Sequence, residues 1–320
     1  MSTKEAFPKD VFTSLRELLE MEFYARNFSF LARKQKVKSI LGGKHASKLR
    51  GRGLDFEEVR NYVKGDDIRN IDWKVTARTK ETHTRVFSEE KEKPALIVVD
   101  QSKSMMFGSQ KRTKAVVAAE LAALSAFRVL KEGDRVGGVV VADNGIDIVF
   151  PKRDRRNILR FLEKIVSRNH ELAESVSQGY DDLLHDAMKK IRNIVTHDFL
   201  VVIIGDFHRY SPDVIKFISQ IGLHNDVIVA KVTDPFERDI PDTKFVAGDG
   251  KTQITVEGSN KKLQSRFAEG FDSDLLSFKS QMKKYRIPVF TVNTVDPVDQ
   301  QIKEVFKGKG REQRGKGKVT

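Results

Sequence analysis

Hydrophobic residues fall along this chain in two rhythms. Between residues 11 and 24, "VFTSLRELLEMEFY" sets Phe12, Leu15, Leu18, Leu19 and Phe23 at three- and four-residue spacings, which predicts an amphipathic helix. From Pro94 the pattern changes to short unbroken apolar runs separated by longer helical stretches. "ALIVVD" predicts a strand buried on both faces, and "RTKAVVAAELAALSAFRVLKEG" after it predicts a long helix closed by Gly133. Further strands are predicted in "DRVGGVVVAD", "IDIVF", "DFLVVIIGD", "DVIVAKVTD" and "PVFTVNT". Helices are predicted in "RDRRNILRFLEKIV", "YDDLLHDAMKKIRNIV", "SPDVIKFISQIG" and a segment from about 260 to 284, which follows a hairpin-like "KFVAGDGKTQITVEG". Such alternation predicts an α/β fold: a doubly wound, mostly parallel sheet flanked by helices. Residues 54–90 mix isolated apolar positions with many charges and read as the least regular part. The expected organisation is an irregular helical N-terminal segment over 1–90, the sheet domain over 91–306, and a disordered basic tail over 307–320.

Composition narrows the function classes. With 320 residues and 21 Phe there is material for a real core, and with no cysteine there are no disulfides, thiolate metal sites or cysteine nucleophiles. "MSTKEAFPKDVF" has no apolar core of a signal peptide, and "AVVAAELAALSAF" is broken by Glu120 and Ser125, so a cytoplasmic protein without membrane insertion is expected. The net charge of +13 raises an alternative function, binding of nucleic acid or another polyanion. Its basis is the arm "ARKQKVKSILGGKHASKLRGRG" and the tail "KGKGREQRGKGKVT", because the middle of the chain is closer to balanced.

Two aspartates end predicted buried strands: Asp100 after "ALIVV" and Asp206 after "FLVVIIG". In doubly wound sheets ligands bind just beyond these strand ends. Ser102 and Ser104 follow Asp100 at alternate positions, so their hydroxyls project to one side; with the carboxylates they form a hard-oxygen donor set suited to Mg²⁺, or to Mn²⁺ in its place. Asp100 and Ser104 are equally at home as turn and N-cap residues, and the second strand-end aspartate is what favours the metal. In "KGDDIRNIDWK", Arg69, Asp72 and Trp73 fall within one helical turn. They predict either an internal Arg–Asp clamp with a buried, stacking indole, packing the N-terminal segment on the sheet domain, or a partner-binding surface. Catalytic readings find little support. "DGKTQ" ends like a phosphate loop but has Phe245 where its leading glycine belongs, the seven histidines show no paired-ligand spacing, and Ser104 sits in no G-x-S-x-G elbow.

"DQSKS" at 100–104 resembles the metal-ion-dependent adhesion site of von Willebrand factor A-like domains, whose fold is a doubly wound α/β sheet. The stretch "GRGLDFEEVRNYVKGDDIRNIDWKVTARTKETHTRVFSEEKEKPALIVVDQSKSM" is more specific and resembles the signature of the bacterial "domain of unknown function 58" family. The resemblance implies that Asp100, Ser102, Ser104 and Asp206 are metal ligands. Where A domains usually offer a threonine, counting back from Leu184 and Ala187 in "GYDDLLHDAM" reaches Asp182. The resemblance also implies a non-catalytic adaptor or co-chaperone working with a MoxR-type AAA+ ATPase or its client, with the metal shell completed by a carboxylate of the partner.

Overall fold

The first helix, α1 (Leu15–Tyr24), starts where Ser14 stops it from starting earlier. The Ser14 hydroxyl accepts the N–H of Glu17, and the Glu17 carboxylate accepts the N–H of Ser14, a reciprocal cap. The computed structural model describes residues 7–27, 54–89, 93–174, 180–207, 212–248 and 253–307. They belong to two compact bodies, one of residues 1–33 with 93–320 and one of residues 34–92. Thus α1, expected within the N-terminal segment over 1–90, belongs with the sheet.

The smaller body is more regular than its charges suggest. Strand β1 (Leu54–Asn61) pairs antiparallel with β2 (His83–Glu89), and between them lies helix α2 (Trp73–Thr79). The expected Arg69–Asp72–Trp73 clamp does not form. Asp72 Oδ1 caps α2 by accepting the N–H groups of Lys74 and Val75, and its Oδ2 accepts from Arg85 Nε at 2.8 Å. With Asp72 committed to the cap and to the strand, Trp73 stands at the first position of a seven-residue helix, 70% exposed rather than buried. Trp73→Ala is therefore expected to cost under about 1 kcal/mol. Native emission from this single indole should already resemble that of a solvated tryptophan, and a blue-shifted maximum would contradict the placement.

In the larger body the chain runs through β3 (Ala95–Asp100), α3 (Lys114–Lys131), β4 (Val136–Ala142), β5 (Gly145–Lys152), α4 (Arg155–Glu171), α5 (Tyr180–Ile194), β6 (Leu200–Gly205), α6 (Pro212–Ile221), β7 (Asp226–Thr233), β8 (Lys244–Gly248), β9 (Gln253–Glu257), α7 (Lys261–Lys284), β10 (Val289–Asn293) and α8 (Val298–Lys307). Strands β8 and β9 form a separate hairpin; the main sheet has the order β10-β7-β6-β3-β4-β5. All its neighbours are parallel except the edge strand β5, which folds back antiparallel on β4.

Period-two alternation sends each central strand into two cores. Ala95, Ile97 and Val99 face a core built with α1, α3, α4 and α8, while Leu96 and Val98 face one built with α5, α6 and α7. Helix α3 is buried almost all round, and its alanines, including Ala118, Ala119, Ala122 and Ala123, let neighbouring elements approach closely. Opposite it, Gly138 of β4 makes room for the Phe161 ring of α4: a Cβ there would lie 2.1 Å from Phe161 Cε2. Among the described residues no helix is long and apolar enough to cross a membrane.

Candidate functional site

Chain direction creates the site. From β3 the chain crosses to β4 on one side, and from β6 it crosses to β7 on the other, so the loops leaving the adjacent carboxyl ends of β3 and β6 diverge. A crevice at such a divergence is where open α/β sheets take their ligands. Asp100 and Asp206 stand at these two ends, 5% and 2% exposed. Gly205, the residue before Asp206, lies against Asp100: a Cβ at this position would sit 3.2 Å from Asp100 Cβ and 3.4 Å from Asp100 Oδ2.

The loop after Asp100 is fixed from several sides. Asp100 Oδ1 accepts the Ser102 N–H at 2.8 Å, closing a tight turn, and the N–H of Met105 donates to the Ser102 carbonyl in the following 3-10 turn. Gln101, fully buried, donates its backbone N–H to Val141 and its side-chain amide to the Ala115 carbonyl. Its Oε1 accepts from Asn169 Nδ2, whose own Oδ1 accepts the Thr13 N–H, so a buried polar chain joins this loop to the segment before α1. Lys103 donates its N–H to Asp143 Oδ2 at 2.6 Å and its ammonium to the Leu172 carbonyl at 2.7 Å. Burial holds the Asp143 carboxyl above its usual range, against the opposing bond from Lys103. The outcome is that the buried Ser102 and the exposed Ser104 have their hydroxyl oxygens 3.2 Å apart. Ser104 does not cap a helix; Thr113 caps α3.

Asp206 has a different neighbour. Lys114, the first residue of α3 and only 3% exposed, places its ammonium 2.9 Å from Asp206 Oδ2 and 2.6 Å from Glu237 Oε1. Burial alone would depress the Lys114 pKa, but attraction to Asp206 and Glu237 outweighs it and holds the pKa above the ordinary lysine value. The ammonium of Lys231, from β7, donates to the Asp206 backbone carbonyl. Its own pKa is depressed, chiefly by burial, with repulsion from Lys114 adding to it. Asp100, Ser102 and Ser104 offer oxygen donors of the type that Mg²⁺ or Mn²⁺ takes, while one Asp206 oxygen is engaged by a lysine. Asp182 lies in the first turn of α5, with its side chain outside the described residues. Among the described residues, no three His, Cys, Asp or Glu side chains gather as a metal site.

Sequence reasoning named the aspartates and serines as candidates and did not name Gln101, Lys114, Lys231 or Glu237. Lys114 did leave a signal, since a lysine at the start of an otherwise apolar helix lies at the positive end of the helix dipole and needs carboxylates to hold it. The basic arm up to residue 53 and the tail beyond Lys307, which carry the polyanion alternative, lie outside the described residues.

Comparison with known proteins adds relatives to this geometry. Among solved structures the chain is similar to the conserved hypothetical protein BatB of Bacteroides thetaiotaomicron, with a TM-score of 0.40 and 18% identity, covering 67% of this chain and 98% of that one. It is also similar to the SpRpn10 VWA domain, with a TM-score of 0.36 and 9% identity over 67% of this chain and 95% of that domain. An uncharacterized protein of Mycobacterium tuberculosis is 30% identical over 230 residues, which span 71% of this chain and 70% of the relative, and its Mycobacterium bovis counterpart matches equally. A sequence profile described as "Protein of unknown function DUF58" matches residues 58–274, from the smaller body through the site into α7, and the chain belongs to that family.

Proposed function

We propose that this protein is a non-catalytic, cytoplasmic interaction module, an adaptor or co-chaperone of a MoxR-type AAA+ ATPase, that grips the ATPase or its client at the carboxyl end of β3. The observation that carries this reading is the pair of hydroxyls of Ser102 and Ser104, 3.2 Å apart, on the turn that Asp100 closes. A Mg²⁺ or Mn²⁺ ion bound there supplies a Lewis-acidic position open to a carboxylate of the partner. Asp100 contributes the formal charge and the serines contribute neutral oxygens. Gln101 and Asp143 hold the loop so that these donors stay in place when the partner arrives. Recognition by a charge at the mouth of a crevice favours an acidic segment of the partner as the ligand.

Calorimetry tests this directly. The native protein is expected to bind Mg²⁺ or Mn²⁺ at millimolar concentration or below, and the double change Ser102→Ala, Ser104→Ala to weaken that binding at least tenfold. Both hydroxyls of a mutually bonded pair are removed, so the melting temperature should move by only a few degrees. Capture of the ATPase should fall to the level seen with EDTA. No cation binding at millimolar concentration, with or without the partner, would refute the site.

A further inference from the structure

The buried ions beside the site are more numerous than a turn requires. Asp206 and Glu237 bring two negative charges; Lys114 bonds both, and Lys231 reaches the Asp206 carbonyl with a second positive charge. The four side chains are therefore neutral as a set, with two charges of each sign. Lys114 comes from the start of α3, Lys231 from β7 and Glu237 from the turn after β7, so side chains from three separate elements gather beside Asp206, and of these it is Lys114 that bonds its carboxylate. The ring of Phe107 lies 5.9 Å from the Lys114 nitrogen, which adds a further contact that favours a cation at that spot. Metal chemistry of the type proposed above would want the Asp206 carboxylate, because the residue before it, Gly205, lies against Asp100. An ion reaching for it would meet the Lys114 ammonium already bonded to that carboxylate.

We propose that Lys114 is a resident cation that holds Asp206 out of the divalent-ion site and so sets the affinity of that site. The inference rests on the reading that Asp100, Ser102 and Ser104 hold a divalent ion, and it adds the residue that regulates them. While Lys114 is in place the ion is held by the β3 loop alone. When its charge is removed, Asp206 becomes a ligand and the ion is held from both sides of the crevice. The lysine keeps affinity low in the free protein, which leaves a partner carboxylate room to contribute the missing charge.

The test is Mn²⁺ binding to the full chain, read from the loss of the free-ion electron paramagnetic resonance signal, with folding of each variant checked by its melting curve. Lys114→Met should raise Mn²⁺ affinity at least tenfold over the native protein. Because that change leaves the buried Asp206 and the partly buried Glu237 without their ammonium, the double variant Lys114→Met, Glu237→Gln removes one charge of each sign and should show the same gain in a better-balanced fold. Asp206→Asn in the native background should leave affinity within about twofold, and in the double variant it should cancel the gain. Binding by the lysine variants alone also supports the proposal. Equal affinity of the native protein and both lysine variants would overturn it while leaving the three-donor site standing. Absence of Mn²⁺ binding in every variant would overturn the metal site and this proposal together.

Discussion

Gly138→Ala is expected to lower stability by about 3 kcal/mol or more, at the upper end of what overpacking costs. The added methyl carbon would sit 2.1 Å from Phe161 Cε2 and 2.2 Å from Cδ2. Phe161 is 1% exposed and has no room to swing aside, so either β4 shifts against its two neighbours or the ring leaves its well. Phe161→Leu alone should also destabilise, but in the Gly138→Ala background it should recover part of the loss. A double-mutant cycle in urea would then show a coupling energy of 0.5 kcal/mol or more, as expected for residues in direct contact. A midpoint shift worth under about 1 kcal/mol for Gly138→Ala would show that this strand and helix pack differently.

A comparable effect is expected from Glu120, on α3, when pH is varied. Burial pushes its carboxyl up to about 7; the Arg112 guanidinium, 2.5 Å away, pulls it down, and Glu17 and Asp10 push it further up. The folded protein therefore holds this proton more tightly than the unfolded chain, whose glutamate titrates near 4.5. The resulting stability is fully present below pH 4.5 and is lost as pH rises through 7, on the order of 3 kcal/mol in all. Glu120→Gln keeps the neutral form at every pH. Chemical unfolding at pH 4.5 and pH 8 should show the variant gaining about that amount on the native protein between the two conditions. A constant difference would mean that the glutamate is ionised throughout, with Arg112 winning over burial.

The sheet domain was legible because strands covered on both faces leave unbroken apolar runs, and "ALIVVD" and "FLVVIIG" could be little else. The antiparallel return of β5 was not, since "IDIVF" reads the same in either direction and direction is set by the short turn before it. The ribbon of β1 and β2 was hidden for a different reason: its strands carry alternating charges, so no apolar run marks them. The expectation for Trp73 failed because a large aromatic is usually buried, whereas here its position in the chain, directly after the capping Asp72, decided its exposure. At the site, Asp100, Ser102 and Ser104 were readable from local spacing. Lys114 and Glu237 are 123 residues apart, and no local pattern announces such a pair.

The buried chain from Thr13 through Asn169 to Gln101 makes the site depend on a distant part of the sequence. Its bonds join residues 156 and 68 positions apart, so each requires a long stretch of chain to have closed first. Such non-local contacts carry a larger closure cost than those within the helices or the β4–β5 hairpin. The loop that presents Ser102 and Ser104 is therefore supported in part by the N-terminal segment beside α4. A chain whose N-terminal segment is displaced from α4 would lose the Thr13–Asn169 bond and with it one support of the Gln101 side chain behind this loop.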